Sequence, residues 1–209
     1  MKAKEQYDRI PDQQEGSKID VEESRNFETI QDATAFFELA CRRLLNINLW
    51  GKISGLSSFQ LFDEHGNEVD REGRQGDYIR IDIPGPGTQL GGGFDWVRIE
   101  EIFHHHDDQE ELLSIRVRPS VKPMTEGNSP AHFLKAEATS TFIVRRLQLL
   151  VQAEEHGRNE MANTDTTHIL DNARNLLVGG AAKLGLSYPQ WKLLIDGLVK
   201  QEESVGNPI

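Results

Sequence analysis

Three consecutive stretches near the middle of the chain alternate between apolar and polar residues. Over Asp77 to Ile83, Ile79, Ile81 and Ile83 share one side, opposite Tyr78, Arg80 and Asp82. Phe94 to Phe103 sets Val97, Ile99 and Phe103 against Trp96, Arg98 and Glu100. Glu111 to Arg118 sets Leu113, Ile115 and Val117 against Ser114, Arg116 and Arg118. A period of two is the signature of a strand, since successive side chains point to opposite faces. Three such strands, each with an aliphatic and a charged side, predict an antiparallel sheet covered on one face only.

The flanking pattern fills in the remaining elements. Ile19 and Val21 alternate with Lys18 and Asp20, predicting a short strand over Lys18 to Glu22. Phe36, Phe37, Leu39, Ala40, Cys41, Leu44 and Leu45 then recur at steps of three and four, which predicts a helix starting near Asp32 and Thr34. Arg42 and Arg43 lie in its last turn, where cations suit the helix dipole. Asn46 to Ser58 is broken by Gly51 and Gly55 and has room for one helical turn around Trp50. Ser58 to Phe62 reads as a strand closed by a His65-Gly66-Asn67 turn. Beyond a Pro/Gly loop, Thr139, Thr141, Phe142, Ile143 and Val144 favour strand. The stretch from His132 to Ala153 exceeds one ordinary strand, so two are expected, Phe133 to Arg145 and Leu149 to Glu155; a single helix is the rival reading.

The C-terminal part reads as helical. Thr164, Asp165 or Thr166 can cap a stripe of Ile169, Ala173, Leu176, Leu177, Gly180, Ala181 and Leu184, which Gly185 stops. Ser187-Tyr188-Pro189-Gln190 then has the marks of a helix start, followed by Trp191, Leu194, Ile195 and Leu198 on one stripe. The expected fold class is α+β: a curved antiparallel sheet of about seven strands packed on C-terminal helices. One domain is expected over 17–200, with a loose, disordered arm over 1–16 and a loose tail over 201–209.

Charge narrows the function classes. Lys and Arg total 23 against 34 Asp and Glu, a net charge of −11. That excludes a broad basic grip on nucleic acid or on an anionic membrane as the main role. No apolar run approaches the length of a membrane span, and the start lacks a basic-then-apolar signal pattern, so a cytoplasmic, soluble protein is expected. Cys41 is the only cysteine, which rules out an internal disulfide and a cysteine zinc cluster. Its place in an apolar helical stripe favours an inert thiol over a nucleophile.

The order of elements (strand, helix, short helical turn, six strands, C-terminal helix) resembles the helix-grip fold of the START-like and polyketide-cyclase-like superfamily. The strand at Ile19-Asp20-Val21 running into the Phe36/Phe37 helix and then Trp50 carries the resemblance. The two-part C-terminal helix departs from it. Cystatin-like and lipocalin-like sheets are the alternatives. The resemblance implies a ligand cavity between sheet and helix and no particular chemistry, because the superfamily shares no universal catalytic residues.

Candidate chemistry is sparse. His156-Gly157-Arg158-Asn159-Glu160 packs a base, a guanidinium, an amide and a carboxylate into five residues, at the expected exit of the last strand. Such groups suit a cavity mouth, but structural turns use the same residue types and a hydrogen-bonded loop is the more ordinary reading. His132 is expected to open the sixth strand and to project into the same cavity, with Trp50 and Trp191 as lining aromatics. His104-His105-His106-Asp107-Asp108 has donors for a metal, but reads better as a solvated hairpin tip. Gly85-Pro86-Gly87 and Gly91-Gly92-Gly93 lack the strand–loop–helix setting and the Gly-Lys-Ser/Thr of a phosphate loop. Arg80, Asp82, Arg98, Glu100, Arg116 and Arg118 suggest an outer face of cross-strand ion pairs.

The leading expectation is a domain binding a small hydrophobic or amphipathic molecule, anchored by Trp50, His132, His156, Arg158, Asn159 and Glu160. No cofactor or metal is expected, and a homodimer is compatible with the apolar helix faces. An enzyme using His156 or Glu160 as acid/base is the alternative. A third class is a non-catalytic protein whose acidic surface and N-terminal arm meet a basic partner.

Overall fold

The alternating stretches join one seven-stranded sheet in the computed structural model, which describes residues 9–83, 91–107, 109–126, 130–163 and 188–201. The strands are β1 (Ser17–Asn26), β2 (Ser58–Phe62), β3 (Tyr78–Asp82), β4 (Asp95–His106), β5 (Glu110–Pro119), β6 (Thr139–Leu147) and β7 (Leu150–Glu160). They run in the order β1-β7-β6-β5-β4-β3-β2, every neighbouring pair antiparallel. Six strands thus follow one another as a meander, and β1 returns to pair with the last. Between β1 and β2 lie α1 (Ile30–Leu45), a 3₁₀ turn (Ile47–Leu49) and α2 (Trp50–Ser54). Residues 188–198 form α3. The fold is α+β, in the helix-grip arrangement.

Local chemistry sets the helix ends. α1 begins earlier than its apolar stripe, because Thr29 is extended and its hydroxyl accepts the Asp32 N–H at 3.1 Å. α2 ends at Gly55, whose φ of 71° is the left-handed value that glycine adopts without strain. The Trp50 indole N–H donates to the Leu44 carbonyl at 3.1 Å, which ties α2 back to the end of α1. The two helices and α3 cover one side of the sheet. Ile79, Ile81, Val97, Ile99, Ile115, Phe142 and Val144 join Phe36, Phe37 and Leu44 of α1 and Leu194, Ile195 and Leu198 of α3 in one buried cluster. Each such side chain contributes roughly 1.5–3 kcal/mol on leaving water.

Several expectations are corrected. β1 is ten residues long, because it pairs along β7 from Ser17 to Asn26. The stretch 132–153 is a hairpin rather than a helix, but β6 starts only at Thr139 and the turn lies at Gln148-Leu149, with Gln148 at a φ of 53°. β7 runs on to Glu160, so the expected loop cluster at 156–160 is strand; both its edges are paired, to β6 and to β1. Phe103 does not share the face of Val97 and Ile99. An irregularity between Ile99 and Glu101 shifts the register, pairs Ile102 with Ile115, and turns Phe103 to the opposite side. The stripe from Ile169 to Leu184, its caps at Thr164 to Thr166, and Gly85-Pro86-Gly87 lie outside the described residues.

The face away from the helices is not uniformly charged. Residues 9–16 lie across it; residues 1–8 of the expected arm and 202–209 of the expected tail lie outside the described residues. Ile10 is buried against Leu112, Ile143 and Phe103, and the Arg9 guanidinium sits 3.5 Å from the centre of the Phe103 ring. Phe62, Trp96 and Ala131 form a second small cluster on that face, with Tyr78 and Phe94 beside it. Among the described residues, no helix is long and apolar enough to cross a membrane.

Candidate functional site

A strand with paired edges fixes its side chains by parity. On β7, Val151 and Ala153 face the helices and belong to the core. The same count sends Glu155 inward, opposite Phe142, and Glu154, His156 and Arg158 outward. Asn159 then breaks the alternation. It takes a φ of 57°, and β1 compensates with a register shift between Ser17 and Ile19. Glu160 therefore lies on the helix side with Glu155. A Cβ at Gly157 would stand 2.7 Å from Glu160 Oε1, so the glycine leaves open the space that the carboxyl fills.

Glu160 lines a cavity of about 30 Å³ between the sheet and α3. Its walls are Ile79, Ile81, Val97, Val117, Phe142, Trp50 and Trp191, and its polar groups include Glu160, His132, Ser140 and Gln190. The aromatic wall is continuous, with Phe142 ring centres 4.9 Å from Trp50 and 5.1 Å from Trp191. Glu160 is 4% exposed, and its Oε1 has no hydrogen-bond partner. Burial pushes its carboxyl up to about 7. Glu155 is wholly buried and neither of its oxygens is hydrogen-bonded. Burial first, and the neighbouring Glu160 second, raise it well above the carboxylate range. The nearby Ser140 hydroxyl softens that shift.

His132 reaches the cavity from a turn ahead of β6 rather than from the strand. The backbone there is committed elsewhere: the Ala131 N–H donates to Ser120 O at 2.8 Å, and Leu134 bridges to Ala162 beyond the end of β7. The ring stacks on Phe133, and its Nδ1 accepts the Leu134 N–H at 2.9 Å, which leaves Nε2 to carry the ring proton. Gln190 is held by a hydrogen bond from the Ser57 hydroxyl.

Trp50, His132 and Glu160 thus come together, and His156, Arg158 and Asn159 lie elsewhere. His156 is on the far face, where Nδ1 is 2.7 Å from Asp20 Oδ1 and Nε2 is 2.8 Å from Glu154 Oε2. Arg145 pairs with Glu154, and Arg158 Nη2 donates to Asp20 at 2.6 Å. Burial works against the charged ring of His156, but its hydrogen bonds to Glu154 and Asp20 prevail and raise its pKa. Burial likewise opposes the Asp20 charge, yet His156, Arg158 and Lys18 draw it down to about 2. This ladder laces β6, β7 and β1 together. The sheet separates His156 from Glu160, so the two cannot share a substrate as acid and base. Asn159 is a pin: its Oδ1 accepts the Gln14 N–H at 2.7 Å, and its amide donates to Asp12 O at 3.2 Å.

Trp96 is a core residue of the far face, its indole N–H bonded to Gly91 O at 3.2 Å. His106 and His105 pair individually, with Glu111 at 2.8 Å and Asp107 at 3.4 Å. Among the described residues, no three His, Cys, Asp or Glu side chains converge as a metal set. Arg116 and Arg118 both bond to Glu100, and Arg80 bonds to Glu68. Burial, helped by Glu111 and Glu38, pushes the Cys41 thiol up to about 12 and keeps it unreactive. Glu155 was not singled out from the sequence. Its signal is a carboxylate on the aliphatic parity of Val151 and Ala153.

No protein-family model and no curated protein matches the sequence. Among solved structures, a hypothetical protein from Helicobacter pylori superposes on 88% of this chain and 86% of its own, with a TM-score of 0.51 and 11% identity. A protein from Mycobacterium smegmatis covers 91% of this chain and 94% of its own, at a TM-score of 0.40 and 12% identity. The ginseng major latex-like protein 151 from Panax ginseng covers 83% and 99%, at a TM-score of 0.32 and 12% identity. The Helicobacter pylori likeness is one of fold alone.

Proposed function

We propose that this protein binds a small hydrophobic or amphipathic molecule between the sheet and α3, within the START-like branch of helix-grip proteins. The observation carrying this reading is the buried Glu160 carboxyl, with one unpartnered oxygen, in the wall of an aromatic cavity. An unsatisfied buried acceptor costs about 1–3 kcal/mol, and an apolar residue at 160 would avoid the cost. Retaining a polar tip in an apolar cavity is what orienting a ligand requires. At 30 Å³ the cavity accepts a head group the size of a water molecule or two. A longer ligand displaces Gln190 and Trp191, the wall residues contributed by α3.

The test is a thermal-unfolding series with six- to twelve-carbon alcohols, amines and acids, read together with tryptophan emission. A binder at a hundred-fold excess over its Kd gains about 2.7 kcal/mol, which raises Tm by roughly 5–10 °C. Trp191→Phe should then remove part of the emission change. No rise with any member of the series sinks the reading. Glu160 titrating near neutral pH favours one second reading, general acid/base chemistry by this carboxyl alone. Mass spectrometry separates the two: a binder returns its ligand unchanged, and an enzyme does not.

A further inference from the structure

The cavity's polar groups include one carboxyl, Glu160, and one imidazole, His132, whose Nδ1 is taken up by the Leu134 N–H. No lysine or arginine is among the cavity's described lining residues. Glu155 lies on the same face of β7, with both oxygens unbonded. Three carboxyl oxygens, Glu155 Oε1 and Oε2 and Glu160 Oε1, are buried without a well-formed hydrogen bond, with the Ser140 hydroxyl near Glu155. Arg158 does not serve them by hydrogen bond; it lies across the sheet, donating to Asp20 and to the carbonyls of Ile19 and Gly157. The remaining walls include the rings of Trp50, Phe142 and Trp191.

We propose that the ligand of this cavity is an organic amine bound as its ammonium ion, with its N–H groups on Glu160 and its carbon chain against Trp50, Phe142 and Trp191. The inference deepens the cavity-binding reading and rests on it. A primary ammonium offers three donors and no acceptor, which matches a carboxyl in the wall of an otherwise apolar cavity. Charge-assisted hydrogen bonds are roughly twice as strong as neutral ones, and aromatic faces attract cations. An alcohol brings one neutral donor. A carboxylate brings a further negative group beside Glu160, which like charge disfavours. An ammonium head is also about the size that 30 Å³ admits, whereas a larger head group is not.

The decisive measurement is calorimetric titration of the full chain with hexylamine, 1-hexanol and hexanoate at pH 7.5. Hexylamine should bind at least about tenfold tighter than hexanol, a difference of about 1.4 kcal/mol, with hexanoate weakest. Glu160→Gln should abolish that preference. Equal or tighter binding of the alcohol or the acid overturns the amine while leaving a cavity binder intact, as does a preference that survives Glu160→Gln. Silence from all three ligands, with no thermal shift, overturns both readings. If Glu160→Gln does not fold, Glu160→Asp, which withdraws the carboxyl by one methylene, must cut the preference instead.

Discussion

At residue scale, the most consequential position is Glu160. Its folded pKa, about 7, lies above the ordinary 4.5, so the native state holds the proton more tightly than the unfolded chain does. The sign follows: its contribution to stability is complete below about pH 4.5 and is lost as pH rises through about 7. Glu160→Gln removes the titration and keeps a similar shape. The variant should gain on the order of 2 kcal/mol over the parent at pH 8 and little at pH 4.5. Urea unfolding at the two pH values checks this, and an equal effect at both would deny the burial of a titrating carboxyl. Asn159 shows the same dependence of chemistry on backbone. One residue in the left-handed region turns its successor, Glu160, from the outer face to the inner one.

At element scale, the question is what seats α3 against the rest. Gly197 packs so closely on α2 that a Cβ there would stand 2.2 Å from Ile53 Cγ2. The end of the helix is held by Arg43 of α1, which donates to Leu198 O at 3.1 Å and Lys200 O at 2.7 Å, and by Arg25 of β1, which donates to Val199 O at 3.0 Å. Gly197→Ala should therefore shift α3 and cost about 1–3 kcal/mol, as overpacking does. Combining it with Ile53→Ala should recover much of that loss relative to Ile53→Ala alone. A double-mutant cycle by thermal unfolding measures the coupling, and strict additivity would mean that the two elements do not meet. Because Gln190 and Trp191 wall the cavity from this helix, Gly197→Ala should also weaken ligand binding.

At the scale of the whole molecule, the two faces of the sheet are closed by different means. The inner face is covered by helices distant in sequence. The outer face is closed locally by residues 9–16, with Ile10 on Leu112 and Ile143, and Arg9 bonded to Glu101 at 3.1 Å. Removing residues 1–16 should expose that patch and lower stability by about 2–3 kcal/mol, the value of one buried isoleucine and a cation over an aromatic ring. The truncated chain should bind 1-anilinonaphthalene-8-sulfonate more strongly and melt earlier. An unchanged Tm would show that the arm contributes nothing to the fold.

The period-two rows of Ile79, Ile81 and Ile83 and of Leu113, Ile115 and Val117 determined the sheet and its buried face, because a strand with one aliphatic side has one stable way to lie. The steps of three and four from Phe36 to Leu45 determined α1 in the same way. Tertiary structure alone decided which polar groups meet. The register break after Ile99 and the turn at Asn159 each shift parity by one residue, and a shift of one exchanges faces. Local pattern carries no mark of either, since both are set by the neighbouring strand. That is why Glu160 joins His132 and Trp50 while His156, four residues earlier on the same strand, faces the other way.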